Sequence, residues 1–309
     1  MQTMRLWDGR QVPRIGVGCW AIGGVDYGET FDHVSLAGLR LADEMGARVF
    51  DTAIAYGWGR SERLVGQAFG EREDIVIATK FGHPAHSLSP GTIRASIELS
   101  RANLRRDRID LVLFHVNEYP AADAGFVFDT LGELRARGWI GAFGWSTDVA
   151  ESVGSVADRA GFVAVENDFN VFDHADALMA LVAAKGLISI SRLPLAMGML
   201  SGKYNQGQVV GAGDIRARPV AWMKYFRDGK AAPEFVRRLE AIRELLTAGG
   251  RSLAQGALGW ILARSPNALP VPGFKNEAQV RENLGALEKG PLPAEVMAEI
   301  DALLAREAA

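Results

Sequence analysis

Cysteine is almost absent: Cys19 is the single one in 309 residues. No internal disulfide can form, so an apolar core must hold the fold, as suits a reducing compartment. Long apolar runs are missing as well. The stretch 177–184 is among the longest, far short of the ~20 residues that span a bilayer, and the opening MQTMRLWDGR has no apolar region of a secretory signal. An excess of charge of one sign is lacking too. With 34 basic and 37 acidic residues the net charge is −3, which excludes long-range attraction to nucleic acid or anionic lipid, so any bound phosphate must be gripped locally. No low-complexity linker divides the chain. These absences predict a soluble, cytoplasmic protein built as a single domain over residues 1–309, without nucleic-acid or membrane partners.

What is present is a core and an alternation. Hydrophobic residues make up 48% and charged residues 23%, ample for a large globular core. Asp8-Gly9 sits between two short apolar segments and predicts a β-hairpin closed by a tight type I′ turn. Short apolar or β-branched runs then recur at Ile15–Trp20, Arg48–Asp51, Ile75–Lys80, Ile109–His115, Ile140–Ser146, Phe162–Glu166, Leu187–Leu193 and Ala268–Pro272. Amphipathic segments of helical period separate them, several ending at a glycine suited to a left-handed cap: Gly46, Gly70, Gly138, Gly161 and Gly186. Eight strands alternating with helices predict an α/β fold, a (β/α)8 TIM barrel, with an N-terminal β-hairpin, an insertion near 209–232 and a C-terminal helical tail from Pro293.

Gly16-Val-Gly18-Cys-Trp-Ala21 matches the G-x-G-x-x-A fingerprint of dinucleotide-binding sheets. That fingerprint must open a helix carrying the pyrophosphate on its N-terminus, whereas here Ile22-Gly-Gly-Val-Asp-Tyr-Gly-Glu follows, a loop. The match is read as accidental.

In a barrel, residues at the C-terminal ends of different strands meet above one pocket. Asp51 ends the second predicted strand, with Tyr56 on the loop after it; Lys80 ends the third and His115 the fourth. Their intervals suit consecutive strand-helix units of ~30 residues. Singly, a strand-end Asp reads as a helix cap and a rim Lys as solvated. Together at successive strand ends they read as a site. A phenol of pKa ~10 is a poor acid-base catalyst near neutrality, and an adjacent ammonium lowers it by ~1–3 units. Lys80 is expected to act so on Tyr56, with Asp51 orienting Lys80 and a neutral His115 donating a hydrogen bond to a substrate oxygen. Such a set protonates a carbonyl oxygen as hydride reaches its carbon.

Asp51-Thr-Ala-x-x-Tyr56-Gly with Ser61-Glu62, then Lys80 and His115, then Pro194-Leu-Ala-Met-Gly-Met-Leu-Ser-Gly-Lys203-Tyr, resemble the aldo-keto reductase family. The similarity runs from Arg14 to about Leu287. It implies a nicotinamide-dependent barrel enzyme with the tetrad Asp51, Tyr56, Lys80 and His115 and Tyr56 as general acid or base. It also implies that Ser146 and its neighbour Thr147 meet the carboxamide, and that Pro194, Leu195, Gly198, Leu200, Gly202 and Lys203 cover the pyrophosphate. The segment from Val271 to Asn283 resembles the adenosine-end motif, in which Gly273 belongs to the turn, Lys275 supplies a charge for a 2′-phosphate and Asn283 a donor for adenine. NADP is thereby expected over NAD. Gln279 stands where many phosphate-selective members carry arginine, which makes the expected preference modest, and a solvated Lys275 is the competing reading.

Three positions depart from the family pattern. Thr147 replaces an asparagine, Glu166 a glutamine and Arg192 a ring-stacking tyrosine. Glu166 and Arg192 end neighbouring strands and are expected to form an ion pair beside the nicotinamide, with Arg192 as the shelf under the ring. Trp20, Trp58, Asn117, Trp222, Tyr225 and Phe226 are the candidates for the substrate pocket, with loop anchoring as the competing reading. His83-x-x-His86 lacks a further ligand, so no metal is expected. The leading function is NADPH-dependent reduction of aldehydes or ketones. A sugar or polyol dehydrogenase running toward oxidation is the alternative. A cofactor-sensing interaction subunit is a third, disfavoured because the barrel is expected to begin almost at residue 1.

Overall fold

The computed structural model describes residues 2–204 and 207–307; Met1, Asn205, Gln206, Ala308 and Ala309 lie outside it. The chain opens with the antiparallel pair β1 (Thr3–Arg5) and β2 (Gln11–Pro13). Leu6 N–H donates to the Arg10 carbonyl at 2.9 Å, leaving a three-residue loop in which only Gly9 has positive φ, +88°. The turn is therefore not type I′, which requires positive φ at Asp8 too.

The alternation that follows is β3 (Val17–Gly18), α1 (Asp32–Glu44), β4 (Val49–Asp51), α2 (Arg60–Phe69), β5 (Val76–Phe81), α3 (Pro90–Leu104), β6 (Ile109–Phe114), α4 (Gly125–Ala136), β7 (Ile140–Ser146), α5 (Ala150–Gly154), β8 (Phe162–Asp168), α6 (Asp176–Lys185) and β9 (Ile188–Arg192). The insertion carries a small hairpin, β10 (Phe226–Arg227) with β11 (Lys230–Ala231). Then come α7 (Pro233–Thr247), α8 (Leu253–Arg264), β12 (Ala268–Pro270), α9 (Glu277–Lys289) and the tail α10 (Ala294–Glu307).

Strands β3 to β9 and β12 form one parallel sheet in sequential order. The ring closes where Gly16 and Gly18 N–H donate to the Pro270 and Pro272 carbonyls, both at 3.0 Å. Gly18 is required there: a Cβ would sit 2.5 Å from the Val271 carbonyl oxygen. The barrel is the predicted one, and the accidental fingerprint has its reason, since a single 3-10 turn at Ala21–Gly23 follows it and α1 starts only at Asp32.

Period-two burial sorts the strand residues. Val76, Ala78, Leu111, Leu113, Ala142, Ala164, Ile188, Ile190 and Leu269 fill the barrel, and Leu6 and Val12 of the hairpin join that cluster, plugging the barrel end. Phe50, Ile77, Val112, Phe114, Phe143 and Val165 belong instead to the layer shared with the helices. Gly186 closes α6 in the left-handed region as expected, but Gly70 is right-handed. Its lack of a side chain serves close packing, because a Cβ there would meet the Gly66 carbonyl oxygen at 2.7 Å. Among the described residues no helix is long and apolar enough to cross a membrane.

Candidate active site

Asp51 is the last residue of β4, Lys80 the penultimate residue of β5, and His115 follows the last residue of β6. These adjacent parallel strands carry the three groups to one end of the barrel, and the loop after β4 folds Tyr56 back over them. That loop is fixed from beneath. Thr52 Oγ1 lies 2.8 Å from Ser61 Oγ, Ser61 Oγ donates to the Cys19 carbonyl at 2.7 Å, and buried Glu62 accepts from Thr79 Oγ1 at 2.6 Å and Asn103 Nδ2 at 2.9 Å.

Lys80 is the hub, with no exposed surface. Its Nζ lies 2.7 Å from both Asp51 oxygens, 2.8 Å from the Thr52 carbonyl and 3.2 Å from Tyr56 Oη. An ammonium has only hydrogens to give. Tyr56 Oη therefore accepts from Lys80, and the phenolic hydrogen is left for another partner. Burial alone would depress the ammonium's pKa, but Asp51 and Glu166 outweigh it and hold the pKa above its ordinary value.

Tyr56 corrects an expectation. Burial is the largest influence on the phenol, with Asp51 and Glu166 adding to it; Lys80 pulls the other way and loses. The phenol's pKa is raised, not lowered, because burial outweighs the attraction of Lys80, whose charge Asp51 partly offsets. His115 is neutral as expected: burial, then Lys80, His83 and Arg192, hold its pKa well below the usual histidine range. Its ring meets that of Tyr56 edge-on at 6.1 Å, and the His83 ring packs on it at 5.0 Å.

A cavity of about 600 Å3 opens beside these groups, within the ~300–1,000 Å3 of ligand sites. Asp51, Tyr56, His115, Ser146, Glu166 and Arg192 border it; Pro194, Leu195, Gly198 and Lys203 continue its wall, followed by Gly273, Lys275, Gln279 and Asn283. Three other candidates are elsewhere. Thr147 is buried, its hydroxyl spent on the Asn117 carbonyl at 2.6 Å and the Val149 N–H at 3.1 Å; Leu200 is core; Gly202 makes a left-handed turn against Leu253.

Of the aromatic candidates, Trp20 roofs Tyr56 with rings 5.7 Å apart and 21° from parallel. Trp222 packs on Trp20 at 6.2 Å, and Asn117 borders the cavity. The others are corrected. Trp58 is 84% exposed and no part of the wall. Tyr225 is buried, accepting from Asn170 Nδ2 at 2.9 Å, and Phe226 is buried against Tyr204.

The ion pair of Glu166 with Arg192 is also not formed. Arg192 Nε donates to Asp168 at 2.8 Å, Nη1 to Ser146 Oγ at 3.1 Å, and Nη2 to Asp148. Glu166 lies beside Lys80, Oε2 to Nζ 3.3 Å. Strand register explains both, for Arg192 is paired across β8 and β9 with Asp168, whereas Glu166 is paired with Ile190, one step deeper. Asp148, Asp168 and Arg216 are wall residues that sequence reading missed. The available signal for Asp168 was period two along β8, which puts it on the face of Glu166.

A model of the Aldo/keto reductase family matches residues 14–305. The chain belongs to the aldo/keto reductase family. Among curated members of the family, the Schizosaccharomyces pombe aldo-keto reductase yakc [NADP(+)] is 28% identical, covering 90% of this chain and 84% of its own. The NADH-specific methylglyoxal reductase of Escherichia coli is also 28% identical, over 96% and 94%. A solved glycerol dehydrogenase of Gluconobacter oxydans superposes with a TM-score of 0.82 at 23% identity, covering 99% of this chain and 95% of that one. Aldo/keto reductases are nicotinamide-dependent oxidoreductases, and the wall has the makings of such a site. Gly198, at φ +94°, leaves a cradle that a Cβ would fill at 3.1 Å from Tyr204. At the far end Lys275 and Asn276 lead into α9, whose Asn276 side chain caps Gln279 N–H at 3.0 Å. Glu166 Oε2 is buried without a hydrogen-bond partner.

Proposed function

We propose that the whole chain acts as one catalytic unit reducing an aldehyde or ketone with NADPH, through Asp51, Tyr56, Lys80 and His115. The observation that carries this reading is the buried Lys80 ammonium, 2.7 Å from Asp51 and 3.2 Å from Tyr56 Oη, directly behind these two lining residues of the cavity. The nicotinamide, when bound, supplies hydride to the carbonyl carbon. Tyr56 gives its free phenolic proton to the carbonyl oxygen, and Lys80 stabilises the phenolate that remains. Neutral His115 donates a hydrogen bond to that oxygen, polarising the carbonyl without competing as an acid. Asp51 keeps Lys80 charged and aimed. Hydride and proton together convert C=O to CH–OH, and the raised pKa of Tyr56 keeps the proton on the phenol throughout the neutral range.

Ser146 and Glu166, which line the cavity, would hold the nicotinamide end. Pro194, Leu195, Gly198 and Lys203 line the course for the pyrophosphate, and Lys275 and Asn283 the adenosine end. The NADP(+)-named relative and the charge of Lys275 support NADP; the NADH-specific relative is the counterweight. Asn117, Asp148 and Asp168 beside the cavity suit hydroxyl groups, which favours polyol oxidation on the same groups as the second reading.

The test is turnover by Tyr56→Phe. Loss of carbonyl-dependent NADPH oxidation by on the order of 10²-fold or more, with NADPH affinity kept, supports the mechanism. Near-normal turnover refutes it. A wild-type protein that binds the cofactor yet turns over no aldehyde, ketone or polyol is instead the cofactor-sensing subunit.

A further inference from the structure

The charges around the cavity floor do not balance. Lys80 is matched by Asp51, and Arg192 by Asp168 and Asp148. Counting Glu166, four carboxylates face these two cations, and Glu166 is the one with an oxygen left without a hydrogen bond. Glu166 is 2% exposed, it borders the cavity, and its Oε2 accepts no hydrogen bond although Lys80 Nζ is 3.3 Å away, because the ammonium's hydrogens are already directed at Asp51, Thr52 and Tyr56. The groups that face it are Asp51 from β4, Lys80 from β5 and Arg192 from β9, with Asp168 on its own strand and Tyr56 and His115 on the same cavity. A buried carboxylate in surplus calls for either a proton or a cation.

A nicotinamide ring is a ligand that comes in both forms, cationic when oxidised and neutral when reduced. On the reading proposed above, a hydride donor has to serve a carbonyl held at Tyr56. Tyr56 Oη and Glu166 Oε2 are each within 3.3 Å of the same Lys80 nitrogen, so the ring and Glu166 share one corner of the cavity. We propose that Glu166 makes the site sense the redox state of its cofactor: as a carboxylate it completes the charge of the oxidised ring, and as a carboxylic acid it suits the reduced one.

Titration makes the idea measurable. Burial, then Asp51, push Glu166 up to about 7 against the pull of Lys80 and Arg192. A bound cation beside it lowers that pKa, so binding the oxidised cofactor releases a proton. Affinity for NADP+ then rises with pH up to the pKa of the free protein and levels off above it. NADPH, with an uncharged ring, gains nothing over the same range. Both carry the same 2′-phosphate, whose own titration cancels in the ratio of their dissociation constants.

The experiment measures Kd for NADP+ and NADPH from about pH 5.5 to about pH 8 in the wild type and in Glu166→Gln, which keeps the shape and removes the charge. In the wild type the ratio of Kd for NADP+ to Kd for NADPH is expected to fall roughly 5- to 100-fold across the range, and in the variant to stay flat. Calorimetry of the wild type in two buffers of different ionisation enthalpy adds a count of protons, released with NADP+ in excess of NADPH, and decides alone if the variant does not fold. A flat ratio in the wild type, or an equal slope in the variant, overturns the inference while leaving the nicotinamide site standing. A wild type that binds neither cofactor overturns both.

Discussion

Replacing Lys80 by methionine keeps an unbranched side chain about as long as the lysine stem and removes the ammonium from a site where nothing else takes its place. The structure sets the size of the effect. Asp51 is 4% exposed and draws two 2.7 Å contacts from Lys80, the Thr52 carbonyl one and Tyr56 Oη one. Breaking a buried pair by deleting one partner costs about 3–5 kcal/mol, and here the orphan is an anion. Burial already holds the Asp51 carboxyl above its ordinary range. Without Lys80 it rises further, and the variant stays folded by taking up a proton. The sign follows: a carboxyl whose folded pKa exceeds its unfolded value of ~3.9 gives stability at low pH that is lost as pH climbs through the folded pKa. The gap between wild type and Lys80→Met, read from urea midpoints, is therefore expected to be wider near pH 8 than near pH 5. The double variant Asp51→Asn/Lys80→Met removes the orphaned charge and is expected to recover about 1–3 kcal/mol of the single variant's loss. An equal gap at both pH values, with no recovery in the double variant, would refute a buried ion pair at the heart of the site.

The other predictions concern single contacts. Lys275→Ala is expected to weaken NADPH about 10- to 100-fold, the equivalent of a charge-assisted bond of about 1.5–3 kcal/mol, and NADH far less. Lys275 Nζ also donates to the Tyr27 carbonyl at 2.6 Å, so equal weakening of both cofactors would mean that this loop contact is its whole role. Trp58→Ala is expected to leave KM for any carbonyl substrate unchanged, and Trp222→Ala to raise it, because only Trp222 borders the cavity; steady-state kinetics with the two reversed would contradict the assigned wall. Glu62→Gln leaves one acceptor oxygen where Glu62 accepts from both Thr79 and Asn103; with that oxygen on Asn103, the Thr79 hydroxyl must accept from the new amide and its own hydrogen loses its acceptor, at a cost of about 1–3 kcal/mol, to be read as a lower denaturation midpoint.

How much of this was legible in the sequence depends on whether period or partner choice decides. The eight strands were readable because apolar runs alternate with helical segments, and strand ends brought Asp51, Lys80 and His115 together without any knowledge of side-chain packing. The length of β8 was not readable. The apolar run stops at Glu166, but Asn167 and Asp168 continue the ladder with β9, and that extension gave Arg192 to Asp168 and left Glu166 to Lys80. The insertion resisted for a different reason. Its aromatics have no periodicity to say which way they face, and Tyr225 and Phe226 turned inward, with the Arg216 guanidinium packed over the rings of Tyr204 and Phe226 at 4.6 and 5.3 Å. The direction of the Tyr56 shift needed burial weighed against a charge partly offset, and only coordinates supply that.

The contact between Lys80 and Glu166 has a bearing on how the molecule acquires its site. β5 and β8 are not neighbours; two strands, β6 and β7, stand between them, so the two side chains meet across the mouth of the barrel and not along its wall. A chain that has assembled β3 to β6 already possesses Asp51, Tyr56, Lys80 and His115 in sequence, but has no opposite wall to enclose them. Such non-local closure comes late relative to helix formation and neighbouring-strand pairing. During refolding, helical content is expected to return ahead of any affinity for cofactor, which makes ligand binding a gauge of ring completion in this chain.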